Sequence, residues 1–300
     1  MIAKRDVEPT RLAEDSGMTA RRLLRAVTAL ATTAGVVLTA PVAFAAAAPQ
    51  PGSGYGLPVD VSEDGHRIDW LIGITNILTG ILFVVMLGWI LYAAIGHNQK
   101  RHVAAHDHGD SRKSMFLVLG IAGSIFVVVD GNLFFNSTMD LENVFHNFEK
   151  VEHDPTTIRV EINAHQWAWD TRSAGPDGKF NTKDDIVSLN DVRIPVDTPV
   201  IFEVASTDVL HAFNLPNFRA KVDAVPGQIN RFWTQGKTVG EYEIGCAQHC
   251  GTNHYKMKGV ITVLSKEDYA RWAKEASENS ARLFDENDKD AHWGWEWKGN

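Results

Sequence analysis

The sequence predicts an α+β membrane protein, in which a two-helix transmembrane hairpin near the N-terminus is followed by an all-β sandwich. Three observations carry this expectation. Two long apolar runs lie within the first 140 residues, a polar half with period-two alternation follows them, and its short runs are bounded by Gly, Pro, Asn and Asp. Bulk composition hides the division, because a mean hydropathy of -0.15 with 44% apolar and 22% charged residues describes any ordinary folded chain of 300 residues. Charge is divided in the same way. Residues 140–300 hold 26 acidic and 18 basic side chains and account for the whole formal charge of -8. An acidic globular half argues against nucleic acid as a partner and favours a basic protein.

Residues 1–45 carry Arg21, Arg22 and Arg25, then an uncharged run over 26–41, then Ala43-Phe44-Ala45. That is the layout of a secretory signal peptide with a small-residue cleavage site rather than of a first membrane helix. Residues 46–67 follow as a linker. Within the hairpin region, 68–139, residues 70–95 are 26 consecutive positions without a formal charge, more than the roughly 20 that a bilayer-crossing helix needs. A second span at about 114–137 is broken only by Asp130. Between them, the loop 97–113 carries Lys100, Arg101, Arg112 and Lys113, so the positive-inside bias places it in the cytoplasm and both ends of the mature chain outside. His97, His102, His106 and His108 in that loop read as solvated, since no second element is tied to them. Asp130 has two readings, a carboxylate facing protein or a water path, and one lying at the outer interface.

Residues 150–265 form the predicted sandwich, with β-branched and aromatic runs at 157–170, 186–194, 200–206, 230–234, 240–245 and 257–264. The last two flank a Cys-containing loop and hold it at one end of the sandwich. Residues 266–300 finish as a helix, with Tyr269, Trp272, Ala273 and Ala276 at helical spacing, and an acidic Trp-rich tail. Asp177, Asn181, Asp184 and Asp185 within 174–186 supply hard oxygens, but their spacing departs from the EF-hand, and a solvated hairpin turn accounts for them.

The loop 246–257 reads Cys-Ala-Gln-His-Cys-Gly-Thr-Asn-His-Tyr-Lys-Met, and Cys246 and Cys250 are the only cysteines in the chain. Three readings fit them: a disulfide, as in other exported chains; zinc, with His254 and one more His; and copper, the one that gives Met257 a purpose. Attachment of c-type haem needs Cys-x-x-Cys-His, which is not present. A mononuclear blue copper site uses one Cys, whereas two sulfurs three residues apart can bridge two copper ions with one imidazole capping each. His211, just after a predicted strand, offers the second imidazole.

The loop's Cys-x-x-x-Cys-Gly-x-x-His-x-x-Met pattern is preceded by Asp208-Val209-Leu210-His211, by Lys-x-Asp-Ala-x-Pro-Gly over 221–227, and by Gln166-Trp167-Ala168-Trp169. Together these resemble subunit II of the haem-copper cytochrome c oxidases, across nearly the whole mature chain. The resemblance implies a cupredoxin-like domain on the periplasmic face of a bacterial-type plasma membrane. It also implies a binuclear copper centre, CuA, that takes electrons from cytochrome c and passes them to haem in subunit I, where oxygen is reduced to water and protons are pumped. The partners so implied are the haem-bearing subunit I, other oxidase subunits and cytochrome c, with no haem and no bond-making residue in this chain. Position by position, the resemblance makes Cys246 and Cys250 the bridging ligands and His211 and His254 the caps. Met257 becomes the weak axial ligand on one copper and the backbone carbonyl of Gln248 the corresponding contact on the other. Trp167 matches the aromatic at which electrons enter, with Trp169 as its neighbour or as ordinary core.

Several positions depart from the family pattern. Gln248 stands where a Glu helps to hold magnesium at the subunit I interface, so that magnesium ion is not carried over. His249 falls between the ligands as a non-ligand. Gln228, Phe213 and Ala168 replace an Arg, a Trp and a Tyr, and the Glu-x-x-Trp-Thr element near the second span is missing, so no proton-path entrance is implied. Two other functions stay open, the CuA relay of a haem-copper nitric oxide reductase and a membrane-anchored copper-binding protein without a catalytic partner. Nitrous oxide reductase shares the copper loop, but it is a soluble enzyme with a large further domain, which the two spans argue against.

Overall fold

The computed structural model describes residues 56–97, 106 and 108–283. The expected signal peptide, the first part of the linker, most of the loop between the apolar runs and the acidic tail lie outside the described residues.

Helix α1 (Gly65–Gly96) begins where the Ser62 hydroxyl accepts the Gly65 N–H at 2.9 Å, a side-chain cap on an otherwise unsatisfied donor. Its composition is apolar all round, with a mean hydropathy of 2.3 over its most apolar stretch, as suits a helix facing lipid. The second helical run, Arg112–Glu152, has a mean hydropathy of 2.0, and both are long and apolar enough to cross a membrane. It comprises α2 (Arg112–Ile125), capped by Ser111, then a π turn (Phe126–Asp130), α3 (Gly131–Asp140), a second π turn (Leu141–Phe145) and the short α4 (Glu149–Glu152). Helical structure therefore continues past residue 137. The reason is packing: Val144, Phe148 and Val151 cover Ile201 and Trp233 of the β domain, and the Trp233 indole donates to the Val144 carbonyl at 3.0 Å.

Ten strands follow: β1 (Ile158–His165), β2 (Ala168–Ser173), β3 (Ile186–Leu189), β4 (Asp191–Pro195), β5 (Pro199–Ser206), β6 (His211–Leu215), β7 (Ala220–Ala224), β8 (Asn230–Gln235), β9 (Gly240–Cys246) and β10 (Lys258–Leu264). They form two five-stranded sheets, ordered β3-β2-β1-β5-β8 and β4-β10-β9-β6-β7. Two long apolar helices followed by a two-sheet β domain is the architecture that the sequence predicts. Strand boundaries differ in three places. The run 157–170 is two strands that reverse at Gln166-Trp167, a turn without Gly or Pro to announce it. The run 186–194 breaks at Asn190, whose φ of 58° turns the chain so that β3 and β4 join different sheets. Strands β6 and β7 have no counterpart among the expected runs, because their segments are short and broken by polar residues at 214, 221 and 223.

Inward-facing side chains such as Ile162, Phe202, Val204, Ile194, Ile261 and Phe213 are all fully buried between the sheets, each burial contributing about 1.5–3 kcal/mol. The outer face of the first sheet is unusual. Arg172 of β2, Glu161 of β1, Glu203 of β5 and Arg231 of β8 stand directly opposite one another in the strand register. Glu161 and Arg172 are buried there. The Arg172 guanidinium bonds Glu161 through Nε at 2.6 Å and Asn181 through Nη1 at 2.8 Å, with Asp185 at 3.8 Å, so the segment between β2 and β3 folds over this charged row.

Arg219, in the left-handed region at φ 55°, sends its guanidinium to Asp69 of α1 through Nε at 2.6 Å and Nη2 at 3.0 Å, and also to the Pro58 and Pro216 carbonyls. Helix α5 (Lys266–Leu283) closes the described chain. Its stripe of Tyr269, Trp272, Ala273 and Ala276 is half-buried, and Arg193 of β4 stacks over the Trp272 ring at 5.2 Å.

Candidate metal centre

Strands β6 and β9 lie side by side with Phe213 opposite Cys246, so the first residue of β6, His211, and the last of β9, Cys246, come to the same end of the sandwich. The loop that follows is fixed at its two ends. Ala247 N–H donates to the Ala212 carbonyl at 3.0 Å, and Cys246 N–H to the Met257 carbonyl at 3.2 Å. A short 3-10 turn, His254–Lys256, then returns the chain to β10.

The donors converge. Cys246 Sγ lies 3.8 Å from Cys250 Sγ, 3.9 Å from His211 Nδ1 and 3.2 Å from the Gln248 carbonyl. Cys250 Sγ lies 3.6 Å from His254 Nδ1 and 3.8 Å from Met257 Sδ. Both cysteines are free thiols, and their separation is far beyond the roughly 2.05 Å of a disulfide bond. An ion binding sulfur at about 2.3 Å and nitrogen at about 2.0 Å in tetrahedral fashion would itself place its donors about 3.5–3.8 Å apart. The neighbouring donors are therefore spaced close to what a bound metal ion requires. Thiolate, imidazole and thioether together favour copper over hard cations. Among the described residues, the group of His, Cys and acidic side chains close enough to hold an ion is His211, Cys246 and Cys250, whose donor atoms lie within 4.8 Å of one another.

Burial is graded across the site. His211, Cys250 and Met257 are buried, Cys246 and His254 are half-buried, and Gln248 and His249 are exposed. Burial alone would push the Cys246 thiol up, but hydrogen bonds from His211 and from the Ala212 and Gln248 backbone outweigh it and bring the group to about 6. Cys250 is pushed up to about 12, by burial first and by Cys246 second. The two thiols are thus driven in opposite directions, and a bound cation would take the place of the proton on the one pushed up. His211 is raised from its ordinary value: burial works against this, and its bonds to Cys246 and Asp208 prevail.

The β1–β2 turn covers the loop. Gln166 Nε2 and Trp167 Nε1 both donate to the Cys250 carbonyl, at 2.7 and 3.1 Å. Gly251 makes this approach possible, with φ at 115° and an added Cβ lying 3.0 Å from Gln166 Nε2 and 3.3 Å from Trp167 Cζ2. Gly251→Ala is expected to destabilise the metal-free β domain by about 1–3 kcal/mol, read as a lower midpoint in thermal unfolding; an unchanged midpoint would contradict it. Trp167 is half-exposed. Trp169, by contrast, is wholly buried, edge-on to Phe213 at 5.2 Å and His211 at 6.1 Å. The sequence motifs contain Asp208, Gln166 and Gly251 but assign none of them a part in the site. Residues 174–186 show the hairpin turn: Asp184 accepts the Asp177 N–H at 3.1 Å and the Thr182 hydroxyl at 2.7 Å, and Asp185 accepts the Asn181 N–H at 2.7 Å.

A family model described as cytochrome c oxidase subunit II, periplasmic domain, matches residues 181–264. The alternative cytochrome c oxidase subunit 2 of Bradyrhizobium diazoefficiens is 30% identical over 238 residues, covering 72% of this chain and 82% of that protein. A probable cytochrome c oxidase subunit 2 of Rickettsia bellii is 30% identical over 272 residues, 85% and 94% of the two chains. The crystal structure of the periplasmic domain of subunit II of cytochrome oxidase from Bradyrhizobium japonicum shares 26% identity over 41% of this chain and 94% of that one, with a TM-score of 0.37. Fold and site define a membrane-anchored metalloprotein with a soft, sulfur-rich donor set. The chain belongs to the cytochrome c oxidase subunit II family.

Proposed function

We propose that this chain is the electron-entry subunit of a haem-copper terminal oxidase and that its loop holds a binuclear CuA centre. The observation that carries the reading is the pair of sulfurs 3.8 Å apart, each with its own imidazole nitrogen within 3.9 Å. Cys246 and Cys250 would bridge two copper ions, His211 and His254 would cap them, and Met257 and the Gln248 carbonyl would be the weak contacts. When bound, such a pair supplies one-electron chemistry shared across two sulfurs. The chain's own part is to fix the donors in advance. The strand pairing of β6 with β9, the two loop-end hydrogen bonds and the Gln166 and Trp167 bonds to Cys250 hold the ligands where they are needed, so little has to move when charge changes. Trp167, half-exposed and bonded to a ligand's own carbonyl, is the group through which an outside donor reaches the centre, and Trp169 forms the buried wall behind His211.

The same reading gives the partners as a haem-bearing subunit I within the membrane and a basic cytochrome c outside it, matching the acidic β half. With α1 and the second run spanning the bilayer and the intervening loop in the cytoplasm, the copper site faces the periplasm. Asp130 then lies about 27 Å along the helix from Arg112 at about 1.5 Å per residue, near the far side of a hydrocarbon core about 30 Å thick. This favours its interfacial reading.

Metal analysis and electron paramagnetic resonance of the copper-loaded, detergent-solubilised chain test the proposal. Two coppers per chain, with hyperfine structure from one unpaired electron shared equally by both nuclei, are expected. A single copper, zinc, or a cystine that takes up no metal would end it.

A further inference from the structure

We propose that Asp208 is a positioning residue for this centre, whose two carboxylate oxygens hold the back of the His211 ring and the exposed Gln166-Trp167 turn as one body. The inference rests on the copper reading above and deepens it.

His211 is completely buried, and its two nitrogens have separate tasks. Nδ1 faces Cys246 at 3.9 Å, while Nε2 meets Asp208 Oδ1 at 2.9 Å. A carboxylate on Nε2 keeps the ring proton there and leaves the Nδ1 lone pair for the metal. The other oxygen, Oδ2, accepts the Gln166 backbone N–H at 2.7 Å. Gln166 in turn reaches the opposite ligand, through its side-chain amide on the Cys250 carbonyl at 2.7 Å. A closed circuit of contacts therefore runs from His211 through Asp208 and Gln166 to Cys250, and back through Cys246. Asp208 itself is oriented locally, by the Val209 N–H at 2.6 Å and by Ser206, whose hydroxyl accepts the Asp208 N–H at 3.3 Å. Its side chain is 32% exposed, so it stands between the surface turn and the buried imidazole. One residue thereby fixes the ligand nitrogen, links the Gln166-Trp167 turn to β6 and to the Cys250 loop, and places a negative charge beside the metal, which favours the oxidised state.

The test uses the detergent-solubilised full chain loaded with copper, comparing the unaltered protein with Asp208→Asn and Asp208→Ala. Copper affinity by chelator competition, hyperfine structure and reduction potential are read for each. Asp208→Ala should lose about tenfold or more in affinity and show altered hyperfine structure. Asp208→Asn, whose amide oxygen still accepts from Nε2 but whose NH2 cannot accept the Gln166 N–H, should restore both only in part, with a higher potential because the charge is gone. A tenfold change in the equilibrium with a one-electron donor is about 59 mV. Should the alanine variant fail to fold, the asparagine variant's potential still decides. If the unaltered chain takes up the copper pair and both variants match it in affinity, spectrum and potential, the positioning role is overturned while the copper reading stands. If the unaltered chain takes up no copper, the copper reading falls and this inference falls with it.

Discussion

Cys250→Ser is expected to abolish stable copper uptake while leaving the β domain folded. Cys250 Sγ is the node of the site, in contact with Cys246 Sγ, His254 Nδ1 and Met257 Sδ at 3.8, 3.6 and 3.8 Å. Serine keeps the shape but replaces a soft, ionisable sulfur with a hydroxyl that stays protonated, so a shared ligand is lost rather than weakened. Copper retained per chain after competition with a chelator should fall by well over the roughly 10–100-fold that loss of a mere supporting contact costs. Met257→Leu is the contrast. It conserves volume at a stability cost under about 1.5 kcal/mol and removes only the thioether, so copper should stay bound with a shifted potential. A Cys250→Ser chain that still held its full complement of copper would remove the sulfur bridge from the proposal.

The second large effect is on stability, far from the metal. Arg172→Ala should cost about 3–5 kcal/mol, because it strands Glu161 and Asp185 in a buried site without their counter-charge. Glu161 is already pushed up to about 7 by burial, with Arg172 pulling the other way, and Asp185 is raised in the same sense by burial. A carboxyl whose folded value stands above its ordinary 4.5 binds more protons folded than unfolded. Its contribution to stability is therefore fully present below 4.5 and is lost as pH rises through about 7. Unfolding of the parent chain followed from pH 5 to pH 7.5 should show that decline, Glu161→Gln should flatten it, and the penalty of Arg172→Ala should shrink at the acid end. The copper spectrum should not change in the variant. A penalty under about 1 kcal/mol, or one independent of pH, would show that the charged row carries no such load.

Much of this was legible in the residues themselves. Uncharged runs and basic flanks mark membrane spans by composition, and the spacing from Cys246 to Met257 announces soft-metal chemistry because few other roles demand those side chains so close together. Periodicity failed where conformation is set by single residues. Gln166-Trp167 reverses the chain without turn-forming residues, and Asn190 divides one alternating run between two sheets. Strand β6, which carries His211, is only five residues long and opens on a buried His, too short for a period-two pattern to mark it. The links through Asp208, Gln166 and Gly251 are three-dimensional facts, joining segments about forty and eighty positions apart, which no local pattern encodes. The buried Arg172–Glu161 pair was likewise hidden, since charged residues alternating with apolar ones predict a solvated strand face unless something folds over it.

In the proposed electron relay, the Arg219 fork on Asp69 sets how firmly the β domain is held to the start of α1. Charge hops over a fixed gap only if the gap stays fixed, and a globular head on a loose stalk would wander relative to any acceptor lying in the bilayer. By chelating the first turns of α1 and the Pro58 carbonyl at once, Arg219 makes the stalk's outer end part of the head. In that proposal the start of α1 is a rigid extension of the β domain and not a swivel beneath it.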